Sequence, residues 1–241
     1  MYKKARQYFP RGLKQPETGF RFSTDSLLIS SFVSVPAKAD ILDLGTGSGV
    51  IPLGIMLRNE SKINSITGID INPDMVAAAQ TNINKLGFSD QIKILEGNIS
   101  KPDFTPAESF DLVVSNPPYR MEGRGRSCPD TSKNTARFEV EADLDAFCKT
   151  AARLVKNRGR VCFVFLAERL IGLVNSFSLY KLEPKRMKFV HGRVDTPAKM
   201  VMVEAVKNGK TGLILEPPII LYDTDGNPTE SSIDYCPFIT K

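Results

Sequence analysis

The sequence predicts an α/β fold: a mostly parallel sheet with an antiparallel end and helices on both faces. Three observations carry that expectation. From residue 39 to residue 178, short apolar runs of strand length alternate with segments of helical period. The junctions carry the punctuation such units need, with glycines after the first strand, Asn72-Pro73 opening one helix and Gly87 closing it. The last β-rich segments, 182–191, 199–207 and 213–222, follow one another too closely for helical crossovers, so antiparallel pairing should end the sheet.

Taken in order, Thr24-Asp25 can cap a short helix over residues 26–33, ahead of a buried strand over 39–44. A helix is expected from about Gly49 to Arg58, then a strand from Ile63 to Asp70. Asn72 reads as an N-cap with Pro73 in the first turn. The helix that follows puts Val76, Ala79, Ile83 and Leu86 on one face. Strands are expected at 92–96 and 110–115, a helix at 141–157, a fifth strand at 160–166 and a helix at 168–178. The organisation expected is a basic N-terminal arm over 1–22, irregular or mobile, and one domain over 23–241 whose C-terminal part, about 208–241, is a β-rich extension.

The chain has 241 residues and a formal net charge of +5, enough length for one large core and a mildly basic surface. The charge is clustered. Residues 1–22 hold Lys3, Lys4, Arg6, Arg11, Lys14 and Arg21 against Glu17 alone. Further clusters are Arg120, Arg124 and Arg126, and Lys181, Lys185, Arg186, Lys188 and Arg193. Such patches suit a polyanion such as RNA, or equally an ordinary solvated surface. Cys128, Cys148, Cys162 and Cys236 are scattered without a CxxC and read as buried thiols. With a single histidine, His191, a zinc site has too few partners, and a turn or surface role suits that residue better than catalysis. No apolar stretch is long enough to span a membrane and the basic N-terminus lacks an apolar signal core, so the expected setting is cytoplasmic.

Two loops carry the chemistry. Asp43-Leu44-Gly45-Thr46-Gly47-Ser48-Gly49 lets the backbone approach a ligand closely. A dinucleotide fingerprint counted from Gly45 needs Gly or Ala at position 50, which is Val50. An acid ahead of the glycines opposes a pyrophosphate but can hold an ammonium, which suits S-adenosylmethionine. Asp70 ends the second strand, where a carboxylate can accept both ribose hydroxyls. Asn98 ends the third and can bond an adenine edge. The second loop is Asn116-Pro117-Pro118-Tyr119, directly after the fourth strand. Proline fixes φ and restricts the residue before it. The Asn116 amide oxygen and the Pro117 carbonyl can thus accept the two N–H groups of a substrate amine, and Tyr119 can stack on a planar ring.

With these loops the sequence resembles the class I S-adenosylmethionine-dependent methyltransferases, and NPPY resembles the motif of enzymes that methylate amino groups conjugated to planar systems. The resemblance implies a Rossmann-like fold with a seven-stranded sheet. Phe22-Ser23-Thr24-Asp25-Ser26-Leu27-Leu28, Thr135-Ala136-Arg137-Phe138-Glu139 and Glu216-Pro217-Pro218-Ile219-Ile220-Leu221-Tyr222-Asp223 are similar to segments of the bacterial valine-tRNA (adenine-N6) methyltransferase family. That family methylates the adenosine next to the anticodon. The resemblance implies cofactor contacts at Thr24, Asp25, Asp43, Gly45, Gly47, Gly49, Asp70, Ile71, Asn98, Ile99 and Asn116, and catalytic roles for Asn116, Pro117 and Tyr119. Arg120, Arg124 and Arg126 leave the active-site loop directly and, with Lys3, Lys4 and Arg6 of the basic arm, are expected to contact RNA; no metal and no membrane is expected, and monomer and dimer both fit. Asn98 stands where the family more often has Asp. NPPY alone leaves open methylation of a protein glutamine or of another RNA or DNA base. An inactive nucleotide-binding adaptor and an NAD-dependent oxidoreductase remain as other classes, the latter disfavoured by Val50.

Overall fold

In the computed structural model, which describes residues 8–16, 22–118 and 144–239, five strands lie parallel at the centre. They are β1 (Ala39–Leu44), β2 (Ile63–Asp70), β3 (Ile92–Glu96), β4 (Phe110–Ser115) and β5 (Val155–Leu166). The sheet continues through β6 (Leu182–His191) and β7 (Ala198–Lys207), with β7 inserted antiparallel between β5 and β6. The spatial order is β3-β2-β1-β4-β5-β7-β6, to which the two-residue strands β8 (Ile214–Leu215) and β9 (Ile219–Ile220) add beyond β6. The seven-stranded expectation describes the long strands; among the described residues, β8 and β9 bring the sheet to nine. Both pair parallel to β6, so among the described strands only β7 runs against its neighbours.

Strand alternation splits the core between the two faces. On β1, Ile41 joins one apolar cluster while Leu42 and Leu44 join the other; on β4, Leu112 and Val114 face one way and Val113 the other. The first face is covered by α1 (Thr24–Phe32), α2 (Val50–Asn59) and α3 (Pro73–Leu86), whose Val76, Ala79, Ile83 and Leu86 are all buried there. The second face is covered by a helix over 144–154, here α4, and by α5 (Leu170–Leu179). A short α6 (Glu230–Tyr235) follows β9.

Three boundaries differ from expectation. Helix α4 stops at residue 154, and the chain is already paired as β5 at Val155, opposite Phe110. Its last carbonyls are taken by the approach to β4, with Ser109 N donating to Leu154 O at 2.9 Å, so tertiary pairing overrides helical periodicity. The first helix starts at Thr24, with extended Ser23 as its cap residue, and the turn over Ala167–Arg169 is 3₁₀ before α5 begins. Finally, residues 8–16, part of the arm expected to be irregular or mobile, form irregular turns that are anchored on the core. Phe9 and Leu13 are buried in the first core cluster, and Asn82 of α3 holds both the N–H and the carbonyl of Lys14.

Candidate active site

Strand order reverses between β1 and β4, and open α/β sheets bind ligands outside the carboxyl ends of the strands at that point. A cavity of about 630 Å³ lies there. Its floor is the glycine loop. The N–H groups of Gly45 and Thr46 both donate to the Ile69 carbonyl at 2.9 Å, which folds the loop across the end of β2. Gly47 (φ 54°) lines the cavity and a Cβ there would meet nothing within 4 Å, so the backbone is laid open to a ligand.

Gly47 N also donates to Asp70 Oδ2 at 2.8 Å, and Asn72 N donates to Oδ1 at 2.9 Å. Each Asp70 oxygen is fixed by one backbone N–H and keeps lone-pair capacity for a further donor, the arrangement a vicinal diol requires. Ile71 beside it is 65 % exposed and lines the cavity with Met75, Ile99 and Phe147, giving a planar ring apolar surface. Asn98 Oδ1 accepts from Ser100 N at 2.8 Å, which fixes the loop after β3 and turns the donor end of the amide elsewhere. The Thr150 hydroxyl of α4 donates to Ile99 O at 2.8 Å and ties that loop to the second face.

The opposite wall is Asn116-Pro117-Pro118. Buried Ser115 donates its hydroxyl to Leu44 O at 2.7 Å and locks the ends of β4 and β1 together. Asn116 Nδ2 then donates to Ser26 Oγ at 3.1 Å, bringing in α1.

The structure thus gathers Gly45, Gly47, Asp70, Ile71, Asn98, Ile99, Asn116 and Pro117 around one cavity. Thr24, Asp25, Asp43 and Gly49 are not in its lining. Asp25 accepts from the Ser23 hydroxyl at 2.8 Å. Gly49 (φ 81°) caps α2 against Ala79, where an added Cβ would sit 3.3 Å from the Ala79 Cβ. Asp43 lies fully buried behind the loop, so the expected direct grip on an ammonium has no support in this geometry. Neither of its oxygens has a well-formed hydrogen bond among the described residues. Burial, offset in part by the Thr46 hydroxyl and reinforced by the Asp70 charge, pushes its carboxyl up to about 7. Tyr119, Arg120, Arg124, Arg126, Lys3, Lys4 and Arg6 lie outside the described residues. His191 sits at the end of β6 with Nδ1 2.8 Å from Thr196 O, away from the cavity, and Cys148, Cys162 and Cys236 are buried thiols.

Sequence reasoning missed Phe22, Ser26, Thr46, Met75 and Phe147 as lining residues. Thr46 was legible as part of the glycine run. Ser26 and Phe147 reach the site only through packing of α1 and α4.

Residues 37–195 match the methyltransferase domain family, and the chain belongs to it: it is a class I S-adenosylmethionine-dependent N-methyltransferase. The cavity fits that cofactor: the open Gly47 backbone, the two oriented Asp70 oxygens and the apolar strip at Ile71 suit an aminoacyl group, a ribose and a purine in turn. More particularly, the chain is similar to proteins named tRNA1(Val) (adenine(37)-N6)-methyltransferase. It is 31 % identical to that of Parabacteroides distasonis over 76 % of each chain. To that of Haemophilus influenzae (strain PittGG) it is 28 % identical, over 92 % of this chain and 91 % of the other. Among solved structures it is similar in fold to a predicted O-methyltransferase, Atu636 of Agrobacterium tumefaciens, with TM-score 0.71, 20 % identity and coverage of 89 % and 96 %.

Proposed function

We propose that the protein methylates the exocyclic N6 of an adenosine in tRNA, next to the anticodon. One observation carries this reading: the Asn116-Pro117 acceptors stand at the end of β4, across the same cavity from the glycine loop and Asp70. Relatives from Haemophilus influenzae, Parabacteroides distasonis and Tolumonas auensis are named for tRNA adenine-N6 methylation, which supports the choice of substrate. S-adenosylmethionine, when bound, supplies an activated methyl group. Asp70 holds the ribose, Gly45 and Gly47 admit the aminoacyl end, and Ile71, Ile99 and Asn98 bracket the adenine.

The adenine amine is a poor nucleophile because its lone pair is delocalised into the ring. The Asn116 amide oxygen and the Pro117 carbonyl accept its two N–H groups and favour a pyramidal nitrogen. The lone pair then turns out of the ring plane toward the methyl donor. Positioning supplies most of the acceleration, up to about 7–11 kcal/mol in the best cases, and Asn116 adds electrostatic complementarity without acting as a base. The nitrogen sheds one proton to solvent after transfer. Tyr119 stacks on the target base, at about 1–3 kcal/mol, and Arg120, Arg124, Arg126, Lys3, Lys4 and Arg6 meet phosphates. A loop adenosine is cheap to splay into such a site. We read residues 23–241 as one domain in a cytoplasmic enzyme. In support, Cys236 and Ile239 share a core cluster with β1 and α2, and among the described residues no helix is long and apolar enough to cross a membrane.

Incubation with labelled cofactor and either total tRNA or release factor, followed by nucleoside mass spectrometry, tests this. N6-methyladenosine in tRNA is expected; label in protein and none in RNA overturns the reading. Asn116→Ala should lower methyl transfer by at least about 100-fold, while calorimetric affinity for S-adenosylhomocysteine persists.

A further inference from the structure

On the reading of tRNA as substrate given above, we propose that a second hollow beside the active site, walled by Lys101, Lys149 and Arg153, receives the ribose-phosphate backbone of the RNA. The hollow has a volume of about 540 Å³ and lies between the loop after β3 and the outer face of α4. Ser100 and Ala146 line both it and the cofactor cavity, so the two open side by side. A strand whose adenosine enters the first has its neighbouring backbone at the second. Lys149 and Arg153, four residues apart, share one face of α4 with Asp145 a turn earlier. All three cations are exposed. Neither lysine side chain has a hydrogen bond or ion pair among the described residues, in contrast to Arg186 and Lys188, which both hold Glu216.

The walls of the hollow are held by bonds within the protein. The Thr150 hydroxyl donates to Ile99 O at 2.8 Å and Arg153 Nη1 donates to Pro102 O at 2.7 Å, which pins the loop to α4. Within the loop, Lys101 N donates to Asn98 O at 3.0 Å and Asp103 N to Lys101 O at 2.8 Å, so the Lys101 side chain leaves from a fixed backbone. The carboxylates of Asp103 and Asp145 stand among the three cations and distinguish the hollow from a simple anion sink. Asp145 Oδ2 accepts from the Tyr180 hydroxyl at 2.7 Å, which orients the carboxylate and leaves Oδ1 to accept from a further donor. RNA presents both partners together: phosphate oxygens for the cations and a 2′-hydroxyl for the carboxylate. DNA offers the first and lacks the second. Each lysine meets one phosphate, and Arg153, already tied to the loop, shapes the wall between them.

The test measures tRNA binding and methylation for Lys101→Gln, Lys149→Gln and the double variant. Lys62→Gln, exposed at the amino end of β2, controls for net charge. The double variant is expected to bind tRNA about 10-fold more weakly, and the slope of log affinity against log salt to fall by about 2, roughly one counterion per lysine. KM for tRNA rises in step, while kcat at saturating tRNA, calorimetric affinity for S-adenosylhomocysteine and the thermal midpoint stay at the parent's values. Unchanged tRNA affinity and salt slope in the double variant overturn the proposal and leave the function standing. An equal loss in Lys62→Gln also overturns it, because the effect is then one of diffuse charge. Asp145→Ala is expected to narrow the parent's preference for an anticodon stem-loop of RNA over its all-deoxyribose counterpart; a preference left intact overturns the contact with ribose. A parent protein that methylates release factor and no tRNA instead removes the substrate reading on which the proposal stands.

Discussion

Asp43 shows what one residue can cost a fold. Its carboxyl is wholly buried behind the glycine loop, and burial is the main reason its pKa rises from 3.8 to about 7. Below about pH 4 the group is protonated in both folded and unfolded chains and costs nothing. Between about pH 4 and 7 the folded state keeps a proton that the unfolded state releases, so stability falls as pH rises; above about 7 the cost is constant. At about 1.4 kcal/mol per unit the full effect is at most about 4 kcal/mol. The amide introduced by Asp43→Asn does not titrate. In the ligand-free protein, the stability of Asp43→Asn relative to the parent should therefore rise between pH 4 and pH 7 and level off. Urea unfolding at pH 5 and pH 8 reads this directly, and a difference that does not change with pH rejects it.

At the scale of elements, the site is made by the ends of strands and the starts of helices. Asn72 illustrates the local kind of determinant: Oδ1 accepts from Asp74 N at 2.9 Å, and Pro73 follows as the first helical residue. Asn82 illustrates the other kind. It is fully buried in α3, where its Nδ2 donates to Ser48 O in the glycine loop and to Lys14 O, both at 2.9 Å, and its Oδ1 accepts from Lys14 N at 2.7 Å. One amide joins the cofactor loop, the N-terminal segment and a helix. At about 1 kcal/mol per bond and more for a partner left unsatisfied, Asn82→Ala should cost about 2–4 kcal/mol in urea unfolding. It should also weaken S-adenosylhomocysteine binding in calorimetry, because Ser48 loses its tether. Undiminished affinity in the variant argues that the loop holds its shape without Asn82.

Across the whole molecule, two cations of the basic run after residue 180, Arg186 and Lys188, are consumed inside the protein, while Lys181 and Arg193 stay exposed. Glu204 of β7 is fully buried between Arg160 at 2.5 Å and Arg186 at 3.0 Å. Arg186 and Lys188 also hold Glu216, at 2.6 and 3.1 Å. Burial pushes the Glu216 carboxyl up, but these two cations outweigh it and keep it below its usual range. The guanidinium of Arg186 further stacks 4.6 Å over the Phe32 ring. These cations fasten the C-terminal segment and α1 to the sheet, so they are poorly placed to serve as an RNA surface. Glu204→Ala leaves Arg186 half-buried without its central partner. A loss of about 3 kcal/mol is expected, the low end for a broken buried pair because Arg160 stays wet. Denaturant unfolding gives the value, and a change below about 1 kcal/mol means the network contributes little.

The strand–helix alternation, the glycine loop, the Asp70 position and the Asn116-Pro117 acceptors are all legible in the chain, because each depends on period, punctuation or chemistry confined to a few neighbouring residues. Asn72-Pro73 and Gly87 bounded α3 where it is found, since caps act within one turn. Long-range packing makes α4 yield to β5 at Val155, puts Asp43 behind the lining, and turns Arg186 and Lys188 inward to Glu204 and Glu216. The same packing brings Ser26, 90 residues away, within hydrogen-bond distance of the Asn116 amide. Those outcomes rest on packing and desolvation between segments far apart in the chain, and no local pattern encodes which distant partner a side chain meets.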